Sequence, residues 1–192
     1  MTYKSADALT LAAQIATCSP CHKSKRGVVI FNKNGVFAAG YNQPPGGAPC
    51  ANAPECREAC GKVCVHAEQD ALQHLLRVHD GVILSNWTMC RTEAHDDAMN
   101  HLMGDRRSAV VMARHDEPLS LLHVKAVDGK PVPSGPPSCW QCSREILHRG
   151  LVDRVYLLEG GDSVFSPPKL RSYTPQEFHA ETMRHCGLPV LG

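Results

Sequence analysis

Apolar residues in the first part of the chain follow two different periods, which predict a helix and then a β-hairpin. Residues 8–17 carry apolar side chains at helical spacing. Residues 27–31 and 36–41 are short apolar runs of the length expected for buried strands. Asn34 and Gly35 lie between the two runs, and this dipeptide suits a tight turn between antiparallel strands. The chain is therefore predicted to begin with a helix, a strand, a turn and a second strand.

The later apolar patterns predict an alternation of helices and strands. Thr174 and Glu177 have the spacing of a capping box, and Pro175 suits a first helical position, so a helix is expected to run from there to residue 185. Residues 188–191 follow as a fifth strand, placed at a sheet edge because the proline there has no N–H to donate. Helices are also predicted at residues 66–78 and 139–149, and strands at residues 119–127 and 154–158.

The composition is that of an ordinary globular chain and argues against several functional classes. The 192 residues are 43% hydrophobic and 20% charged, and the formal net charge is +1. This length favours a single domain over residues 1–192, and the small charge argues against general binding to nucleic acid. The sequence shows neither an apolar run of membrane-spanning length nor a secretory signal, so we expect a cytoplasmic protein. Its ten cysteines then favour metal ligation over disulfides.

Two separated motifs supply a candidate metal centre. His66 and Glu68 form a His-x-Glu sequence, and Cys139 and Cys142 form a Cys-x-x-Cys sequence. Either motif alone is weak evidence, whereas together they provide one imidazole, two thiolates and a free carboxylate. Three protein ligands with an open fourth position are typical of a catalytic zinc. A carboxylate beside the metal can move protons to and from its bound water.

Both motifs lie where helices are predicted to begin. Cys139 and Cys142 are at i and i+3 and share one helix face, and Ser138 is a good N-cap residue for that helix. The positive end of the helix dipole favours thiolate over thiol. Backbone N–H groups near Ala67 and Ser138 are therefore candidate contacts for a substrate ring.

These residues resemble the zinc-dependent cytidine/deoxycytidylate deaminase superfamily, whose signature is H-x-E followed by P-C-x-x-C. The resemblance implies that His66, Cys139 and Cys142 hold zinc and that Glu68 is the general acid/base. It also implies a three-layer α/β/α fold around a mixed five-stranded sheet, in which residues 79–118 would be an insertion. Two departures are visible. A serine separates the proline from the first cysteine, and the two motifs are farther apart than in most members.

A second, structural zinc is implied by the resemblance to bacterial deoxycytidylate deaminases. Residues 43–64 are predicted to be a cysteine-rich loop with too few apolar side chains for a core of its own, so a metal would explain how it stays ordered. Cys60 competes with Cys64 as a ligand, Cys18 could replace Cys21, and free thiols in a flexible loop are the alternative. The four positions that match the bacterial pattern are Cys21, Cys50, Cys56 and Cys64.

Two further places are predicted to contact the substrate. Asn42 follows the second strand, where the similar family has an asparagine that faces the substrate, and a plain turn residue is the alternative. Arg26, together with Lys23 and Lys25, precedes the first apolar strand and could meet a phosphate. The alternative there is a solvated basic turn, which is the commoner role of such a run.

The function implied by the resemblance is hydrolytic deamination of a cytosine-type nucleotide such as deoxycytidylate, which gives the uracil form and ammonia. Deaminases of nucleosides or free bases, and of adenosine in tRNA, share the zinc motif and remain alternatives. A zinc-stabilised binding module is the non-enzymatic alternative, against which the spare carboxylate of Glu68 argues. The expected partner is a small-molecule nucleotide and not a nucleic acid, and the resemblance implies a homo-oligomer.

Overall fold

The computed structural model of the chain describes residues 5–79, 118–137, 139–160 and 168–190. A short 3-10 turn at Pro45–Gly47 lies between the second strand and the second helix. In chain order the helices and strands are α1 (Ser5–Thr17), β1 (Lys25–Asn32), β2 (Gly35–Tyr41), α2 (Pro54–Val63), α3 (Ala67–His79), β3 (Ser120–Val127), β4 (Lys130–Val132), α4 (Trp140–Arg149), β5 (Arg154–Glu159), β6 (Lys169–Tyr173) and α5 (Pro175–His185).

The strands form one mixed sheet in the order β2-β1-β3-β5-β6, and the short β4 pairs with β3 beside this path. β1 is antiparallel to both β2 and β3, whereas β3 and β5 are parallel and are joined by a crossover through α4. β6 is antiparallel to β5. The register places Val28 of β1 opposite His123 of β3. The predicted mixed sheet is therefore confirmed, with five strands on its main path and β4 as a sixth.

Helices cover both faces of the sheet, because strand side chains alternate between two apolar cores. On one face α1 packs against Val29 and Leu122. On the other face α3, α4 and α5 pack against Val28, Leu121 and Val155. This arrangement confirms the predicted three-layer α/β/α fold, and it puts both predicted metal-binding motifs on the same face.

Gly40 allows α3 to lie directly on β2. A Cβ at this position would be 2.4 Å from the Ala71 nitrogen and 2.7 Å from the Ala67 oxygen, which are backbone atoms of α3. These distances are well inside van der Waals contact, and backbone atoms cannot move aside as a flexible side chain can. Glycine therefore sets how closely the first turn of α3 approaches the sheet.

Most of the predicted elements are confirmed, including the first helix, the hairpin, the central strand and both motif helices. The capping box of α5 is also present: the Thr174 hydroxyl accepts a hydrogen bond from the Glu177 backbone N–H, and the Glu177 carboxylate accepts one from the Thr174 backbone N–H. Local sequence signals of this kind are reliable because their hydrogen bonds lie within one turn of the chain.

The cysteine-rich segment 43–64 is not a continuous loop as predicted, because Pro54–Val63 forms α2. Pro54 occupies the first helical position and Glu55 lies in the first turn, where proline and acidic residues favour a helix start. The segment has few apolar residues, so it lacks the helical period by which the other helices are recognised.

The predicted edge strand at residues 188–191 is wrong for its described part, since residues 188–190 form no strand. The Leu188 backbone N–H instead donates to the Met183 oxygen and closes the end of α5. The strand at this edge of the described sheet is β6, in which Lys169, Arg171 and Ser172 are exposed. It carries no alternating apolar pattern, which explains why the sequence did not predict it.

The proposed insertion at residues 79–118 lies almost wholly outside the described residues and stays a prediction. Among the helices that the structure describes, none combines the length and the apolar character needed to cross a membrane.

Candidate active site

His66 is held at the start of α3 by contacts with the end of β2. Its backbone N–H donates to the Gln69 side-chain oxygen at 3.1 Å, as the N3 residue of a capping box accepts from an N-cap residue. The residue before it exchanges two backbone hydrogen bonds with Gln43. One turn into α3, the Asp70 carboxylate accepts from the Tyr41 backbone N–H at 3.1 Å. The imidazole is thus presented from a helix start that is fixed to the sheet.

Cys139 caps α4 with its own sulfur. It is the N-cap residue, and its Sγ accepts a hydrogen bond from the Cys142 backbone N–H at 3.4 Å. The predicted N-cap at Ser138 is therefore wrong, because a sulfur atom one residue later takes the role that a side-chain oxygen usually has. Ser138 itself, also a candidate substrate contact, lies outside the described residues. Cys142 is buried one turn into the helix.

The structure brings the three predicted zinc ligands together. The Cys142 Sγ lies 3.3 Å from the His66 Nδ1 and 3.1 Å from the Cys139 Sγ. All three ligand atoms lie within 4.8 Å of one another, and within the described ranges no other group of three such side chains meets this distance. Two soft sulfur atoms and one imidazole nitrogen around a single point form a donor set that suits zinc.

The protonation of the two thiols supports a cation site. The hydrogen bond with Cys142 lowers the pKa of Cys139 to about 5, although burial opposes this shift. The same contact, together with burial, raises the pKa of Cys142. Hydrogen bonding to Cys139 raises the pKa of His66. A nearby cation favours the thiolate form of a cysteine, so a divalent cation between the two sulfur atoms would be bound by both as thiolates.

Glu68 lies beside this centre and is held by a histidine from the sheet. It is buried, and its Oε1 is 2.9 Å from the Nδ1 of His123 on β3. Burial raises the pKa of the Glu68 carboxyl, but the contact with His123 and the nearby imidazole of His66 outweigh it and hold that pKa well below its usual range. An ionised carboxylate that is not one of the three candidate ligands can serve as a general base.

His123 in turn contacts Arg26 on the neighbouring strand β1, and both residues line the same cavity. The guanidinium NH1 of Arg26 is 3.3 Å from the His123 Nε2 and 3.5 Å from the Ser134 carbonyl oxygen. The Arg26 backbone N–H donates to the Asn42 Oδ1 at 2.7 Å. Arg26, His123 and Glu68 therefore form a continuous row of polar contacts that ends beside the candidate metal centre.

The sequence analysis did not single out His123. The strand around it is mostly apolar, and the His123 side chain is on the same face as Leu121, which packs in the core beneath α3. A buried polar residue at a core-facing strand position needs a hydrogen-bond partner. The need of a buried histidine for a hydrogen-bond partner could have marked His123 as a candidate site residue. The sequence could not show that the partner was Glu68.

A cavity of about 320 Å³ opens onto these groups. This volume is in the range of small-ligand sites. The predicted contacts Asn42, Ala67 and Arg26 all line it, so the fold brings them to one place. The remaining lining includes His66, Glu68, Cys139, His123, Lys23, Ser24, Gln141, Leu157 and Phe178.

The side chains of Lys25 and Asn42 make hydrogen bonds to other parts of the chain that the sequence did not indicate. The Lys25 Nζ donates to the carbonyl oxygens of Thr17 at 3.1 Å and Ser19 at 2.8 Å, at the end of α1. The Asn42 amide oxygen accepts from Arg26, and its nitrogen donates to the Ser24 carbonyl oxygen at 2.9 Å. Lys25 is absent from the cavity lining, whereas Lys23 is part of it.

The cysteines of the segment around α2 form a row of neighbouring thiols with Cys21. The Cys50 and Cys56 sulfur atoms are 3.7 Å apart, Cys50 also contacts Cys21, and Cys60 contacts Cys21 and Cys64. The described cysteines form no disulfide. All four predicted ligands of a second zinc and the alternative Cys60 are thus neighbours, although they do not converge as closely as the first trio.

The fold and the site together define an α/β protein with three candidate metal ligands at two helix starts and a separate buried carboxylate beside them. This is the donor set that characterises the deaminase superfamily. The chain is similar to the deoxycytidylate deaminase of Schizosaccharomyces pombe, with 39% identity over 74 residues. The similarity confirms the resemblance to the deoxycytidylate deaminase branch for the part of the chain that it covers.

That segment is 33% of this chain and 23% of the yeast protein, so the chain matches less than a quarter of its curated relative's length. No family model matches the chain. Among solved structures, the dCMP deaminase of cyanophage S-TIM5 in apo form has a TM-score of 0.45 and 17% identity, covering 84% of this chain and 89% of that chain. Its complex with dCMP and dUMP has a TM-score of 0.44 and 17% identity, covering 77% and 74%.

Proposed function

We propose that the protein is a zinc-dependent hydrolytic deaminase that converts deoxycytidylate, or a close cytosine nucleotide, to the uracil form and releases ammonia. The observation that carries this proposal is the convergence of His66, Cys139 and Cys142 next to the buried carboxylate of Glu68, which is not a ligand. A structural zinc or a binding module has no use for that carboxylate. The activity named for the yeast relative supports a deoxycytidylate-type substrate.

Each group at the site has a definite task in this reaction. His66, Cys139 and Cys142 would hold the zinc ion, which when bound would lower the pKa of a water molecule toward about 7. Glu68 would take a proton from the water whose oxygen bonds to C4 of the cytosine ring, and would deliver that proton to the ring nitrogen N3. Glu68 then assists the departure of ammonia. The backbone N–H of Ala67 and those at the start of α4 orient the ring.

Ammonia release with a panel of substrates tests the proposal. The panel comprises deoxycytidylate, deoxycytidine, cytosine, adenosine monophosphate and a folded tRNA, each offered to the zinc-loaded protein. We expect turnover to be fastest with deoxycytidylate. A preference for deoxycytidine or cytosine would indicate a nucleoside or base deaminase instead. Action on tRNA alone would indicate an RNA editor. The absence of turnover on every compound would contradict an enzymatic role.

The contiguous thiols support a second, structural zinc bound by four of the five cysteines Cys21, Cys50, Cys56, Cys60 and Cys64. A metal there would hold α2 against the segment before β1, since Cys56 and Cys60 lie in α2 and Cys21 lies in that segment. We expect two zinc ions per chain by elemental analysis and slow alkylation of Cys50 and Cys56 in the native protein. One zinc per chain with rapid alkylation of both thiols would contradict the second site.

A cytoplasmic location and a homo-oligomer complete the proposal. The location is supported by the spacing of the cysteines, which suits metal ligation, the commoner use of clustered cysteines in reducing compartments. The oligomer is supported by the resemblance to the deaminase superfamily. Light scattering coupled to size exclusion tests the assembly, and a monomer at micromolar concentration would contradict it.

A further inference from the structure

We propose that His123 is a positioning residue for Glu68, and that Arg26 fixes the hydrogen-bonding state of His123. The inference rests on the proposed function, in which Glu68 moves the protons. It assigns a task to a histidine outside both motifs and changes the expected role of Arg26 from a phosphate contact to a support of the reacting carboxylate.

The position of the Glu68 carboxylate depends on β3 as well as on its own helix. Glu68 lies in the first turn of α3, where a side chain has several staggered rotamers to choose from. The 2.9 Å contact between its Oε1 and the His123 Nδ1 ties it to a central strand of the sheet. Both side chains are more than nine-tenths buried in this pair. The carboxylate also contacts the thiol of Cys142, so this contact with β3 holds it beside the candidate metal centre.

The contact with Arg26 decides which nitrogen of His123 carries the proton. A guanidinium has only donors and stays protonated in proteins. Since NH1 of Arg26 is 3.3 Å from the His123 Nε2, that nitrogen must accept the hydrogen bond. The proton of the neutral ring is then on Nδ1 and is donated to Glu68. In the other tautomer, Nδ1 would present a lone pair to the carboxylate and the pair would repel.

Arg26 is itself held in place from both ends. Its backbone N–H donates to the Asn42 Oδ1, and its guanidinium also reaches the Ser134 carbonyl oxygen. A chain of polar contacts therefore links Asn42, at the end of β2, to Arg26 on β1. It continues to His123 on β3 and finally to Glu68 on α3. This logic, in which a third group orients the residue that orients the acid/base, is familiar from catalytic triads.

Three variants of the zinc-loaded protein test the role of His123. His123→Phe keeps a ring of similar size but removes the donor, so kcat should fall about 100-fold, as for a misplaced reacting group, while KM and zinc content stay close to normal. His123→Asn restores an N–H near the position of Nδ1 and should recover much of kcat. His74→Phe is the matched control, because the His74 Nδ1 contacts the Ala39 carbonyl oxygen of β2 at 2.8 Å and His74 lies six residues beyond Glu68 along α3.

The control should lose some thermal stability while keeping kcat. An unchanged kcat in His123→Phe, or a His123→Asn variant as slow as His123→Phe, would overturn the positioning role. A loss of kcat in the control equal to that in His123→Phe would also overturn it, because the effect would then follow any lost histidine.

Nitrogen-15 NMR of the histidine rings provides a readout that does not depend on turnover. The zinc-loaded protein should show a His123 ring protonated at Nδ1 and not at Nε2, and Arg26→Met should shift the ring toward the Nε2–H tautomer. An Nε2–H ring in the unaltered protein would overturn the inference. If the unaltered protein deaminates none of the offered compounds, the proposed function fails, and the NMR result still decides whether Arg26 and His123 hold Glu68 as described.

Discussion

Glu68 and the three metal ligands lie within one small site but should respond differently to substitution. Glu68→Ala removes proton transfer, which a positioned acid/base typically accelerates about 10²–10⁴-fold, and it leaves the ligand trio of His66, Cys139 and Cys142 intact. His66→Ala and Cys139→Ala each remove a ligand, so zinc content should fall together with activity.

Zinc content and turnover of these three variants, measured side by side, check the distinction. Near-normal turnover in Glu68→Ala would contradict the proposed mechanism. Loss of zinc in Glu68→Ala would instead make the carboxylate a ligand.

Lys23 and Lys25, two of the basic residues before and within β1, should also respond differently to substitution. Lys23 lines the cavity, whereas the Lys25 ammonium is bound to two carbonyl oxygens at the end of α1. Lys23→Ala should raise KM for deoxycytidylate and leave deoxycytidine unaffected, because only a phosphate gains a charge-assisted hydrogen bond. Lys25→Ala should instead lower stability by about 1–2 kcal/mol, because it removes two partly exposed hydrogen bonds of a charged group, with little change in KM. Steady-state kinetics on both substrates and urea unfolding distinguish the two residues, and equal KM effects would refute the assignment.

At the scale of the elements, the position of α3 depends on the absence of a side chain at Gly40. A methyl group there would meet two backbone atoms of α3 at less than 3 Å. Overpacking of this kind costs about 1–3 kcal/mol, and the shift would move the start of α3 away from β2. Gly40→Ala should therefore lower both the unfolding midpoint and kcat.

Gly35→Ala is a useful comparison, since a Cβ there has no neighbour within 4 Å and the residue lies in the hairpin turn, far from α3. Its φ of 148° makes some loss of stability expected there too, but kcat should not change. A Gly40→Ala variant with unaltered kcat would show that the site tolerates movement of α3.

The elements that could be predicted are those whose signals are local. The hairpin was indicated by its Asn34-Gly35 turn, and α5 by a capping box whose atoms are one turn apart. α2 and β6 could not be predicted because neither shows an apolar period: α2 has few apolar residues, and β6 exposes Lys169 and Arg171 at the sheet edge. His123 was missed for another reason, since its partners are distant in sequence and only the sheet register brings it to Glu68.

For the molecule as a whole, zinc should contribute to stability and not only to catalysis. The ligands converge only in the folded state, so metal binding favours folding. At a free zinc concentration a thousand times the dissociation constant, the gain is about 4 kcal/mol. Removal of zinc with a chelator should therefore lower Tm by several degrees, and added zinc should restore it. An unchanged Tm after verified loss of all zinc would mean that bound metal does not support the fold.

The distribution of the three ligands along the chain also bears on the speed of metal loading. His66 follows a hairpin of neighbouring strands, whereas Cys139 and Cys142 belong to the crossover between β3 and β5. The two halves meet only when β1 pairs with β3 across a long stretch of sequence, and such non-local pairing forms slowly. A partly folded chain would offer a metal two thiols at most at this site, and would hold it weakly. During refolding, tight zinc binding at this site should therefore occur only as fast as β1 pairs with β3. The rate of zinc uptake should report the rate of that pairing.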